Sequence, residues 1–475
     1  MSSPFDEAKY NALLKGLEIT EVKWSYVKSQ SDVVRFDSYY YSKEFLSDED
    51  IIAHQSNKSL KELNADLLSF GAYSLNNFVE YKDSGIPFIR GVNMKDGVLD
   101  FSDTLYIDET AHKLLWKSEV KPNTILLSMS GTIGDVAIAM PDYKYPMNSN
   151  QDIAKITLKD GLNPFYLYAF LRSKYGQNFL KREARGSVQQ HVFLSQMENI
   201  RVPLLTDDFQ QKIESLVKSA HAKLAESKSL YAQAEDTLLS ELGLKDWQPK
   251  NESVSVKKFS DFTASNRLDA EYYEKKYDEI ENAIKTYKGG CNIVSNLFSQ
   301  NIDVCDYKEN AYNYIEIGDV NTGDGSASYN LVETDELPDN AKRVVHFGDI
   351  LISKVRPYRG AVAIINFDAE NLIASGAFTT LHEKTGYKKE VLQVLLRTQI
   401  YRDWLLKWNV GSSYPVIKDD DVLNLPVPLL PPKTQEQIAE LIQKSFALRA
   451  ESKQLLEEAK KMVEKEIEKG KYAVK

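Results

Sequence analysis

"LNLPVPLLPPKTQEQIAELI" at 423–442 and "ENIRVPLLTDDFQQKIESLV" at 198–217 are two versions of one sentence, a proline-bearing apolar exit that runs straight into a helix. The offset of 225 residues between them is kept on both sides. Gly186-Ser187 falls on Gly411-Ser412, Val202-Pro203-Leu204-Leu205 on Val427-Pro428-Leu429-Leu430, and Ala225-Glu226-Ser227-Lys228 on Ala450-Glu451-Ser452-Lys453. Further upstream, "RFDSYYY" at 35–41 matches "RLDAEYY" at 267–273, and "IRGVNMKDG" at 89–97 matches "IEIGDVNTGDG" at 315–325. "NTILLSMSGTIGDVAIAM" at 123–140 likewise matches "GDILISKVRPYRGAVAII" at 348–365. The chain is an internal duplication, and self-similarity of this kind decides the architecture before any single motif does.

Each half has a globular body followed by a long helix. Short β-rich runs such as "TILLSMS" and "DILISKV", broken by Gly, Asp and Asn, alternate with helical stretches at "NPFYLYAFLRSKYGQNFLK" and "KEVLQVLLRTQIYRDWLLKW", which predicts α+β bodies. Asn163 suits a helix N-cap with Pro164 in the first turn. The long helices are expected to open at capping boxes formed by Asp208 with Gln211 and by Thr434 with Gln437. Ile213, Ala220, Ser227 and Ala234 recur every seven residues, as do Ile438, Ser445, Ser452 and Ala459. A seven-residue repeat marks a coiled-coil seam, and small residues in it let two backbones approach closely, so the helices are expected to pair with each other, antiparallel. The predicted organisation is a first globular body at 1–205, a central spacer helix at 206–246, a second body at 247–430 and a C-terminal spacer helix at 431–475.

Composition narrows the function classes. The length of 475 residues exceeds what one core serves. The two cysteines make neither a disulfide framework nor a zinc motif. No apolar run is long enough to cross a membrane, and the start lacks a secretory signal, so a cytoplasmic location is expected. The six histidines sit at no metal-ligand spacing in sequence and read as structural. A phosphate-cradling Gly-Lys-Ser/Thr loop is absent, and "NPFY" at 163–166 lacks the second proline of an adenine methyltransferase motif. Net charge is −10, against nucleic acid taken globally, yet the signs are segregated. Ten carboxylates stand against Lys308 between Asp303 and Asp339, whereas Lys342, Arg343, Lys354, Arg356 and Arg359 stand against Asp349 alone. A second basic cluster comprises Arg172, Lys174, Lys181, Arg182 and Arg185.

The duplicated plan, the "TILLS" and "GDILIS" strands, the Gly-Ser pair before "NIRVPLL" and "NLPVPLLPPKTQEQI", and the Ala-Glu-Ser-Lys match together resemble the specificity subunit of type I restriction-modification enzymes. The resemblance implies two target-recognition domains that read a split DNA sequence, with paired helices fixing the unspecified gap and the chain itself non-catalytic. It also implies double-stranded DNA, two methyltransferase subunits and restriction/translocase subunits as partners. S-adenosylmethionine is then expected in the methyltransferase subunits and no cofactor in this chain. Base and phosphate contact needs forked donors, amides and hydroxyls. The candidates are Arg90, Ser128, Ser130, Thr132, Arg185, Gln189 and Gln190 in the first half, and Lys354, Arg356, Tyr358, Arg359, Ser412 and Tyr414 in the second. The competing class is a coiled-coil scaffold that never touches DNA, favoured by the net acidity and opposed by basic clusters inside the bodies.

Overall fold

The computed structural model describes residues 6–15, 20–29, 34–70, 79–159, 161–186, 190–250, 252, 254–411 and 414–472. The chain divides into two compact units. One comprises residues 1–222 with 451–475, the other residues 223–450. Each unit therefore owns part of both long helices, Asp207–Leu242 and Pro432–Tyr472.

The two units repeat one topology. In the first, a four-stranded sheet has the order Leu105–Ile107, Ile86–Ile89, Met147–Ser149, Glu119–Val120, with the central pair parallel. Its counterpart in the second unit runs Asn330–Glu333, Ala311–Ile315, Leu372–Ser375, Ala341–Val344, again with a parallel central pair. A second, all-antiparallel sheet packs Asp66–Leu68, Ile153–Thr157, Ile125–Ser128 and Val136–Ile138 in one unit. The other unit orders Phe298–Gln300, Phe378–Glu383, Ile350–Ser353 and Val362–Ile364 in the same way. The "ILLS" and "ILIS" strands are buried at all four positions, so they read as continuous apolar runs rather than alternating ones.

The helical stretch that the sequence presents as one piece is two helices in each unit. Pro164–Arg172 is followed by Lys174–Glu183, and Lys389–Arg397 by Gln399–Leu405. The break falls on Ser173 and on Thr398, whose hydroxyls donate to Phe170 O at 2.6 Å and to Leu395 O at 2.7 Å. A short hydroxyl side chain competes for the backbone carbonyl and ends the helix, which is the local chemistry the periodicity conceals. Asn163 caps the first of these helices as expected, accepting from the Phe165 amide at 2.9 Å.

The long helices begin earlier than their expected capping boxes. The first starts at Asp207, capped weakly by Thr206, and the second starts with Pro432 in its first turn, where the missing N–H costs nothing. Gln210 and Gln435 then do what the boxes were expected to do. Each donates back to a leucine carbonyl ahead of its helix, Leu205 and Leu430, at 2.9 Å. Each also accepts from a body amide, Asn163 N–H at 2.8 Å and Lys388 N–H at 3.1 Å. One glutamine thus fixes the exit angle of each long helix from its own body.

All eight seam residues are buried. In the first unit Ile213, Val217 and Ala220 share a core with Leu456, Ala459, Val463 and Ile467. In the second, Ala234 and Leu238 share one with Ile438, Ile442 and Phe446. The two helices come close at Ser227 and Ser445: each hydroxyl donates to the other's backbone carbonyl at 2.9 Å, and the two hydroxyl oxygens lie 2.9 Å apart. Seven residues up one helix and seven down the other from this contact lead to Ala234 and Ile438. The opposite direction leads to Ala220 with Ser452, then Ile213 with Ala459. The helices form an antiparallel coiled coil joining two pseudo-repeated α+β domains.

The repeated Arg-x-Asp and double-Tyr motif is a structural lock in both units. Arg35 pairs with Asp37, lies over the Tyr40 ring and donates to Arg182 O at 3.1 Å. Arg267 pairs with Asp269, lies over Tyr272 and donates to Asn409 O at 2.8 Å. In each case the next tyrosine hydroxyl closes the turn on the arginine carbonyl, Tyr41 at 3.1 Å and Tyr273 at 3.0 Å. The motif pins the start of each body to the C-terminal end of its helix pair, inside the last turn of Lys174–Glu183 in the first unit and just past Leu406–Trp408 in the second.

Candidate nucleic-acid interface

In both units a loop follows the buried central strand and is met by a turn from later in the chain. Backbone bridges join Ser130 and Arg185 to His191 in the first unit, and Val355 and Val410 to Val416 in the second, every position keeping the offset of 225. Val192 N–H donates to Met129 O and Ile417 N–H to Lys354 O, each at 3.0 Å. The glycines of the two Gly-Ser pairs, Gly186 and Gly411, open these turns. Gly186 and Gly411 have φ of 120° and 116°, and a Cβ at Gly411 would lie 2.9 Å from Tyr414 O, so no other residue fits without strain.

The second unit brings its candidates together. Lys354, Arg356, Tyr358 and Arg359 lie on the post-strand loop, and the Arg356 guanidinium stacks 4.3 Å from the Tyr414 ring centre on the facing turn. Arg356 adopts the left-handed conformation, φ 49°, which costs a non-glycine residue about 1 kcal/mol or more. That conformation is held by its N–H donating to Pro415 O at 2.7 Å and by the ring beneath the guanidinium. The short turn Pro357–Arg359 then presents Tyr358 and Arg359 to solvent, with Tyr414 exposed beside them. An arginine against an exposed tyrosine, rimmed by further cations, is a surface suited to phosphate and base edges. Lys354 is partly committed, pairing with Asp419 at 3.0 Å. Burial disfavours the charged form of Asp419, yet hydrogen bonds from Thr379 and Lys354 and the charges of Lys354 and Arg343 outweigh it and hold the carboxyl below its usual range.

The first unit departs from expectation. Ser128 is buried and its hydroxyl donates to Ser130 O at 2.9 Å, the same bond that Ser353 makes to Val355 O. Ser130 is buried too and donates to Asp152 at 2.8 Å. Both serines hold the loop in shape rather than facing a partner, because a strand-end hydroxyl satisfies the backbone of the turn it initiates. Thr132 and Gln190 are exposed, and Arg185 is half-buried. Arg90 lies on a separate turn, where its guanidinium donates to Asp103 O at 2.6 Å. Gln189 and Ser412 lie outside the described residues. The basic cluster at 172–185 is largely spent on internal pairs. Arg172 faces Glu457 at 3.8 Å, Lys174 binds Glu468 at 2.5 Å, and buried Arg182 binds Glu49 at 2.8 Å. A residue the sequence did not single out is Phe193, exposed and stacked on His191 at 6.2 Å beside Arg185. Its only sequence signal is its place just past the Gly-Ser turn.

No helix among the described residues is long and apolar enough to cross a membrane. The family model for the type I restriction modification DNA specificity domain matches this chain twice, over residues 65–235 and 286–461. Among curated proteins, the type I restriction enzyme MjaIX specificity subunit of Methanocaldococcus jannaschii is 26% identical over 331 residues, spanning 68% of this chain and 71% of that one. The MjaVIII specificity subunit of the same organism is 24% identical over 341 residues, 65% of this chain and 71% of its own. Among solved structures, the type I restriction-modification S subunit from M. genitalium covers 87% of this chain and 95% of its own, at 13% identity and a TM-score of 0.39. With the family model matched in both halves and over most of its length, the chain belongs to the type I restriction-modification DNA specificity family.

Proposed function

We propose that each repeated body reads one part of a split DNA target, that the paired helices set the unspecified gap, and that the chain recruits methyltransferase subunits and restriction/translocase subunits that perform the chemistry. S-adenosylmethionine belongs, in this reading, to the methyltransferase subunits, and this chain contributes recognition alone. The observation that carries the reading is the pair of equivalent loop-and-turn sites at a constant offset, one of them presenting Arg356, Arg359, Tyr358 and Tyr414. Unlike loops on like frames suit unlike half-sites. The small-residue seam supports a fixed spacer, since reciprocal serine bonds at Ser227 and Ser445 hold one register. The test is adenine-methylation mapping in cells carrying the chain with its partner subunits. A matched seven-residue insertion in both helices adds about 10 Å of rod at 1.5 Å per residue, or about three base pairs at 3.4 Å each. The gap should lengthen by that amount with both half-sites intact; unchanged spacing, or altered half-sites, refutes the ruler.

A further inference from the structure

Six histidines scattered in sequence look structural, yet folding gathers two of them around one carboxylate. The antiparallel register that pairs Ile350 with Leu381 places Asp349 opposite His382. The turn before that strand, "HFGD" at 346–349, brings His346 to the same spot. The Nδ1 of His382 bonds an Asp349 carboxylate oxygen, and the Nδ1 of His346 lies 3.9 Å from the other. One ligand atom from each of the three residues falls within 4.8 Å of the others.

The geometry points to a divalent transition-metal site in the second unit, built from His346, Asp349 and His382, with the remaining coordination positions open to water. Two imidazoles and one carboxylate are the donor set that suits Zn²⁺ and its neighbours, whereas Mg²⁺ and Ca²⁺ prefer oxygen alone. Asp349 is buried and oriented from behind. Its Oδ2 accepts from Asn301 Nδ2 at 3.1 Å and from the His346 backbone N–H at 2.9 Å. Asn301 is in turn fixed by donating to Val344 O at 2.9 Å and accepting from Asp303 N–H at 2.9 Å. A carboxylate held this way is the outer-shell support that metal ligands ordinarily have. The imidazoles, by contrast, are open: the side chains of His346 and His382 are 57% and 38% exposed, so an ion can enter and His346 can swing in.

The internal duplication supplies a control for the alternative, that the cluster is simply how this fold closes the strand end. In the first unit the equivalent register pairs Ile125 with Ile156, which sets Thr124 opposite Thr157. Their hydroxyls hydrogen-bond at 3.2 Å, and the residue aligned with His346 is Lys121. Two neutral hydroxyls close that position, so the fold does not require a buried carboxylate with two imidazoles. The metal site lies at the opposite end of the strand Ile350–Ser353 from the Lys354–Arg359 loop, about 15 Å away at 3.4 Å per residue. It therefore clamps the turn to the strand Phe378–Glu383 and does not touch the candidate interface.

The test is titration of chelator-treated, full-length chain with ZnCl₂ followed by calorimetry and thermal unfolding. One saturable ion per chain is expected, with a rise in Tm. Affinity should fall at least tenfold in His346→Ala. It should be lost in the double variant Asp349→Thr, His382→Thr, which copies the first unit's own pair and so retains a closed strand end. No saturable uptake by the parent chain, or uptake undiminished in both variants, overturns the site.

Discussion

Replacing Ser227 by leucine tests the helix pairing at a fully buried close contact. The Ser227 hydroxyl sits 2.9 Å from both the carbonyl and the hydroxyl oxygen of Ser445, so the facing backbone is one serine side chain away. Both residues are completely buried. Leucine carries two more heavy atoms than serine into a fully buried close contact, an overpacking that costs about 1–3 kcal/mol. It also deletes the hydroxyl's bonds, worth about 1 kcal/mol. The expected loss for Ser227→Leu is then about 3 kcal/mol. Ser227→Ala removes only the bonds and should cost about 1 kcal/mol. The double variant Ser227→Ala, Ser445→Ala strands no polar side chain and should cost less than twice that. Urea titration of the full chain by far-UV circular dichroism, comparing midpoints at constant m-value, gives the differences. If leucine proves as well tolerated as alanine, to within about 0.5 kcal/mol, the close approach of the helices is wrong and the seam argument falls with it.

Arg356→Ala with Arg359→Ala should weaken or relax one half-site only, read by methylation mapping; equal loss at both half-sites would mean the bodies are not independent readers. Tyr414→Ala removes the ring beneath Arg356, an interaction worth about 1 kcal/mol. It should lower affinity for the same half-site roughly fivefold, with unchanged affinity in DNA-binding titration counting against the arrangement. Lys155 is buried with no carboxylate partner among the described residues, donating to Ser149 Oγ at 2.9 Å and Ile153 O at 3.2 Å, and burial pushes its amine down to about 7 from 10.5. Between those values the unfolded chain binds a proton that the folded chain does not, so stability should rise with pH across that window, the penalty being full below about pH 7. Lys155→Met should therefore stabilise the chain by about 2 kcal/mol near pH 6, net of the lost hydrogen bonds. The gain should fade toward pH 10, and a pH-independent difference in Tm would contradict the burial argument.

The duplication, the α+β bodies and the seven-residue seam were legible in the sequence because they rest on pattern. A constant offset survives any local irregularity, and small residues every seventh position allow only a close helix pair. Asn163 was legible for the same reason, since an N-cap is decided within four residues. What lay beyond reach depended on which atoms meet across the fold. Ser128 and Ser130 look like free hydroxyls in "LSMSGTIG", but the loop folds back and consumes them, whereas the pairing of Arg356 with Tyr414 joins residues 58 positions apart. The basic run at 172–185 reads as a patch, yet its charges find carboxylates such as Glu49, Glu457 and Glu468 that only tertiary packing brings near. Local spacing fixes helices, caps and seams; the commitment of a polar side chain is settled by its nearest partner in space, and a strand register that sets Asp349 against His382 leaves no trace along the chain.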